Sequence, residues 1–254
     1  MATINFDDPR STANRSTRSR FAVEWPTLAL AIFIYAAWLL LTFYWASIPA
    51  IVFFLVGGWL LAWHGSLQHE VLHGHPTRSR AINDLVGWFP LALWLPYALY
   101  KRAHLKHHND EWLTDPIEDP ESYYLTGDVW QRTGAFGRLL ITIDNTLAGR
   151  LIVGPAVSLT TFWGHEVGHM LGGDFRNVRI WFTHLIGCAL VLTWVLAVCG
   201  LPIWVYLVTC YAGIGFSRLR SFAEHQYAGV REERTAIVEN TPSFGLLFLY
   251  NNLH

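Results

Sequence analysis

Charge is missing over long stretches of this sequence. From Trp25 to His69 there is not one charged side chain, and a second charge-free run extends from Ile180 to Ser217. With 52% hydrophobic residues in 254, the chain is too apolar for an ordinary soluble fold. Its formal net charge is only −1, so a nucleic-acid partner has no electrostatic support. Cysteine is also scarce. Cys188, Cys199 and Cys210 all fall inside apolar runs, with no C-x-x-C spacing, and read as small buried hydrophobes rather than a disulfide or thiolate ligands. The chain therefore carries no iron–sulfur site of its own.

The first run is long enough for two crossings of roughly 20 residues each. Ser47 and Pro49 mark a turn between a helix expected over 27–46 and one over 49–66. The second run, broken at Gly200-Leu201-Pro202, reads as another hairpin, 182–199 and 202–217. All eighteen Lys and Arg residues lie outside both runs. The positive-inside rule then predicts an all-α integral membrane protein with four transmembrane helices as two hairpins, both termini and residues 70–179 being cytosolic. Residues 1–20, with Arg10, Arg15, Arg18 and Arg20, form a polar cytosolic tail, and residues 21–254 form one membrane domain. A signal peptide is not expected, because the apolar run that follows is too long and lacks a small-residue cleavage site.

Two shorter apolar stretches remain. Leu85–Leu99, with Pro90 and Pro96, is too short for a normal span and reads as interfacial or re-entrant, lining a way in for a lipid chain. Leu151–Trp163, with Gly154-Pro155, has the same reading. Residues 109–144 are acidic and proline-marked, a cytosolic loop with one amphipathic helix near 135–150.

Histidine is abundant, and seven of the twelve lie between His64 and His108. On helices, His69 and His73 share one face at i,i+4, while His104, His107 and His108 share another at i,i+3,i+4. Such stripes suit metal ligation, because neutral imidazole binds iron, zinc or copper and tolerates an apolar setting. The charge-based topology independently puts both groups on the cytosolic side.

Gln68-His69-Glu70-Val71-Leu72-His73, His104-Leu105-Lys106-His107-His108, a lone His225 and Asn251-Asn252-Leu253-His254 resemble the histidine boxes of the membrane fatty acid desaturase superfamily. The resemblance runs from about residue 25 to the end. It implies four crossings with a cytosolic histidine-rich cap, two non-haem irons, O2 as co-substrate and a fatty acyl substrate that gains a double bond. It also implies an external electron donor, a ferredoxin or similar protein. By this pattern His69 and His73 fill the first box, and His104, His107 and His108 the second. His225 takes the isolated position and His254 opens the third box. The third box of the family holds two more histidines, so the chain is expected to stop within that box and, ending there, to bind the second iron poorly. Glu70 and Glu224, beside ligand histidines, are candidate acceptors for imidazole N–H groups. The wording from His107 to Pro116 resembles bacterial acyl-lipid desaturases, which implies a bacterial inner membrane. Carotenoid ketolases or hydroxylases, and alkane or sterol hydroxylases, share the same boxes.

A zinc reading competes. His69-Glu-Val-Leu-His73 and His165-Glu-Val-Gly-His169 both match H-E-x-x-H, the pattern of an intramembrane metalloprotease. It lacks a distant carboxylate ligand in either charge-free run and leaves His104, His107, His108 and His225 without a role. The His165/His169 pair reads as a polar interfacial turn, with an adventitious metal site as the alternative. His64 lies before the first box where it can line the site, and His184 sits in a membrane helix with a hydrogen bond to another helix expected.

Overall fold

The computed structural model describes residues 23–108, 116–117, 122 and 124–224. The predicted tail, His225 and His254 lie outside the described residues, as do the side chains of His107, His108 and Glu224. Among the described residues the chain is all-helical, without a strand.

Helix α1 spans Trp25–Phe43, with Pro26 in its first turn, where the missing N–H is not needed. A short 3₁₀ turn, Trp45–Ser47, leads through Pro49 into α2, Ala50–Leu72. The predicted second helix stops at residue 66, whereas α2 runs on for nearly two more turns. The polar residues Gln68, His69 and Glu70 do not interrupt its backbone ladder, so His69 sits on a continuous helix. In the second hairpin region α9 spans Val178–Leu192 and continues as a π-helical stretch, Thr193–Val198. Gly200 takes φ +62°, a conformation that suits glycine, and the chain then turns into α10, Ile203–Glu224.

Among the described residues three helices are long and apolar enough to cross a membrane: Trp25–Phe43, Ala50–Leu72 and Val178–Val198. Helix α10, expected as the fourth crossing, forms over 22 residues but is not among them; Arg218, Arg220 and Glu224 stand in its last two turns. Large apolar side chains such as Ile32, Leu40, Phe182 and Leu185 stand exposed along α1 and α9. That outward apolar surface is what a bilayer covers, and the chain is membrane-associated.

Helix α2 is the most buried of the three and shares its longest interface with α10. Close approach is the reason. A Cβ on Gly58 would lie 2.8 Å from Ala212 Cβ, and one on Gly213 would lie 2.8 Å from Leu61 Cβ. Small residues at this crossing let the two backbones pack directly, as in membrane helix pairs.

Between the hairpins lie α3 (Arg80–Trp88), capped by Ser79, and α4 (Tyr97–His108). The stretch between them, Phe89–Pro96, is irregular and inserted among the helices, with Leu91 only 2% exposed. The stretch read as interfacial or re-entrant, Leu85–Leu99, is thus irregular in its middle and helical at both ends. The other stretch so read, Leu151–Trp163, is helical apart from Val153. It ends α7 (Leu147–Ile152) and begins α8 (Gly154–Leu171), where Pro155 occupies the first turn and so does not break the helix.

Before α7 the chain forms α5 (Gly127–Arg132) and α6 (Ala135–Asp144). The helix expected near 135–150 is thus split in two at Asn145 and Thr146, whose side chain caps α7. Arg218 of α10 ties this layer down, hydrogen-bonding Ser158 Oγ at 2.7 Å and pairing with Asp144.

Candidate metal centre

The C-terminal end of α2 and the body of α4 bring three imidazoles together. One ring nitrogen from each of His69, His73 and His104 lies within 4.8 Å of the others. His73 Nε2 and His104 Nε2 are 3.2 Å apart, and the His69 ring centroid is 4.8 Å from that of His73 and 4.5 Å from that of His104. His69 and His104 are buried and His73 is half-buried.

Local contacts fix these positions. Gln68 Nε2 donates to the Gly87 carbonyl at 2.7 Å, joining α2 to the end of α3. Lys101 of α4 pairs with Asp84 of α3 at 2.5 Å, and Tyr97 donates to the same carboxylate at 3.0 Å. Helix α4 is thereby held in register with α2 through α3.

The donor set fits a first-row metal. Two nitrogens bound at roughly 2.0–2.1 Å to one ion lie about 2.9–3.4 Å apart when adjacent in its coordination sphere. The His73–His104 spacing falls in that range. Glu70 is fully buried, and its Oε1 lies 3.2 Å from His69 Nδ1. A carboxylate there accepts the Nδ1–H, so the Nε2 lone pair of His69 is left for a metal. The expectation for Glu70 as an imidazole acceptor thus has its contact; the side chain of Glu224 is outside the described residues. His107 and His108 stand in the last turn of α4, and only their backbone is described.

A cavity of about 310 Å³ opens beside the cluster, with His64, His69 and His104 on its wall. Its lining is mainly apolar, including Leu61, Leu91, Leu93 and Ile214. The structure adds two residues that the sequence pattern did not single out. The Tyr100 ring packs at a tilt beside His104, one turn away on α4, with centroids 5.5 Å apart. Tyr35 of α1 donates to the Val86 carbonyl at 2.5 Å and lies 3.2 Å from His64 Nε2. Because the single hydroxyl proton goes to Val86, His64 must donate from Nε2. Aromatic spacing within apolar runs carried no signal for either.

The second H-E-x-x-H does not build a comparable site. His165 and His169 lie on α8, a regular helix rather than a turn, and both are exposed. Glu166 is engaged structurally: Trp181 Nε1 donates to it at 2.7 Å and Asn177 Nδ2 at 3.2 Å. Asp174, 3.7 Å from His169, belongs to Arg176, whose hydrogen bonds hold its carboxyl well below the usual carboxylate range. The expected helix-to-helix role of His184 takes another form, since its Nε2 bonds the Leu93 carbonyl at 3.0 Å.

The family model for fatty acid desaturases matches residues 44–254. No curated protein and no solved structure matches the chain.

Proposed function

We propose a reaction for this chain from the fact that it belongs to the fatty acid desaturase family: the O2-dependent introduction of a double bond into a fatty acyl chain. The observation that carries this reading is the three-histidine cluster, two of whose rings, His69 and His104, are buried and line an apolar cavity. His69, His73 and His104 are read as ligands, with His107, His108, His225 and His254 completing the set for two irons. Bound iron supplies what no side chain can, the activation of dioxygen for attack on an unactivated C–H bond.

The chain's own residues do the rest. Neutral imidazoles keep the buried site free of heavy negative charge. Glu70 sets the tautomer and orientation of His69. Leu61, Leu91, Leu93 and Ile214 give an acyl chain an apolar bed and keep water out of it. Electrons arrive from a separate donor, a ferredoxin or similar protein. The protein is read as crossing a bacterial inner membrane four times, with α10 as the fourth crossing. The basic residues at the end of α10 and the histidine cap then face the cytosol.

The test is turnover by the full-length protein in lipid nanodiscs, supplied with ferrous iron, a reduced ferredoxin and saturated acyl lipids. Oxygen-dependent product lacking two hydrogens is expected. Product that has instead gained an oxygen atom would make the enzyme a hydroxylase of the same superfamily, and no oxygen-dependent product would refute both.

A further inference from the structure

The irregular segment between α3 and α4 forms one wall of the cavity, and its backbone is held from outside the histidine boxes. Two of its amides bond locally: Leu91 N–H to the Phe89 carbonyl at 3.0 Å and Leu93 N–H to the Pro90 carbonyl at 2.9 Å. Its carbonyls are held by the two helices behind it. Tyr206 of α10 donates to the Leu91 carbonyl at 2.6 Å, and His184 of α9 to the Leu93 carbonyl at 3.0 Å. Thiols reinforce both, Cys210 at 3.8 Å from the first oxygen and Cys188 at 3.6 Å from the second. Non-helical backbone at membrane depth persists only where it is satisfied by protein and lines a cavity. This segment lines the cavity, and at Leu91 and Leu93 both its amides and its carbonyls are bonded by protein.

The clamp is specific. A carbonyl can only accept, so His184 must carry its proton on Nε2. Leu93 takes φ +65°, a region an L-residue rarely occupies unless its surroundings impose it. On α9, His184, Gly187 and Cys188 share one face at i,i+3,i+4, and all three meet the segment. A Cβ on Gly187 would come 2.7 Å from Pro90 Cδ, so only glycine lets α9 approach this closely.

We infer that His184 and Tyr206 are positioning residues: they fix the Pro90–Leu95 wall and thereby set which carbon of an acyl chain rests beside the histidine cluster. The inference rests on reading the cavity as an acyl site. A saturated chain offers few features besides length and bend, so recognition must come from where the apolar wall stops it. Ala92 is on that wall and is its smallest side chain, so a bulky replacement there takes volume from the cavity.

The test is binding of a homologous series of saturated fatty acids to the full-length protein in nanodiscs, read by displacement of a fluorescent fatty acid, with turnover scored separately. Ala92→Phe should move the preferred chain to a shorter length, with at least a tenfold loss for the length the unaltered protein prefers. Leu190→Phe, on the exposed face of α9, should not. His184→Leu should flatten the length preference at least threefold while iron content is retained, and His184→Gln, which keeps a donor, should restore it. Shifted binding in a protein that turns over no lipid supports the wall and sinks the desaturase reading. Turnover with a length preference that neither Ala92→Phe nor His184→Leu alters sinks the wall and leaves the desaturase reading standing.

Discussion

His73 and His104, 31 positions apart in the chain, present their Nε2 atoms to each other at 3.2 Å. Two ring nitrogens meeting head-on share either one proton or one metal ion. With His69 beside them, and two of the three rings buried, the second is the better use of the arrangement. Replacing either His73 or His104 by Ala should therefore lower iron affinity at least tenfold. The double variant should lose little more than the worse single one, because the ligands act as a unit. Metal content and a competitive chelator titration decide it. Iron binding that survives His104→Ala unchanged would remove the cluster from the metal site.

Glu70 tests the same site from behind. Its contact with His69 Nδ1 selects the tautomer that leaves Nε2 free. Partners of this kind typically contribute about 10–100-fold in metal affinity. Glu70→Ala should lose that much, while Glu70→Gln, whose amide oxygen still accepts a hydrogen bond, should lose less. Equal affinities for Glu70→Ala and the unaltered protein would show that His69 is oriented by other contacts.

Much of this was readable from residue types. Charge-free runs announce apolar helices because ionised groups are too costly in hydrocarbon, and three of the expected four meet that description. Paired histidines at i,i+4 announce a shared face wherever the backbone is helical. The ends of elements were less legible. Hydropathy falls after residue 66, but α2 runs to Leu72 because its backbone hydrogen bonds do not depend on side-chain polarity. The His165–His169 stretch looked like an interfacial turn for the same reason. Contacts such as Tyr206 with Leu91 join residues 115 positions apart, and no local pattern encodes them.

The zinc-protease pattern on α8 makes a clear prediction about Glu166. Its carboxylate accepts from Trp181, which is 6% exposed, and from Asn177, so it links α8 to α9. Glu166→Ala should leave metal content unchanged and destabilise the protein by about 1–3 kcal/mol, the cost of stranding a buried donor. Glu166→Gln should be milder. Thermal unfolding in detergent, paired with metal analysis, separates this from catalysis. A variant that folds normally but loses zinc and peptide hydrolysis would restore the protease.

Arg218 carries the last prediction. It sits on α10 five residues after Gly213, where α10 packs on α2, and its guanidinium reaches both Ser158 of α8 and Asp144 of α6. Gly154 makes room for it, since a Cβ there would lie 2.3 Å from Arg218 Nε. The pair is mostly buried, with side-chain exposures of 18% and 14%. Removing one partner of a buried pair costs about 3–5 kcal/mol. Solvent access lowers that here, so Arg218→Ala should lose about 1–3 kcal/mol. Arg218→Lys should recover only part of it, because an ammonium cannot span the two acceptors as a planar fork does. The loss should be local. Proteolysis in detergent should cut residues 133–153 faster in Arg218→Ala while α2 stays protected, and the histidine cluster on α2 and α4 should bind iron as tightly as before. Global unfolding of the variant, with α2 cut at the same rate as α6, would mean that this layer is part of the core rather than a unit pinned onto it.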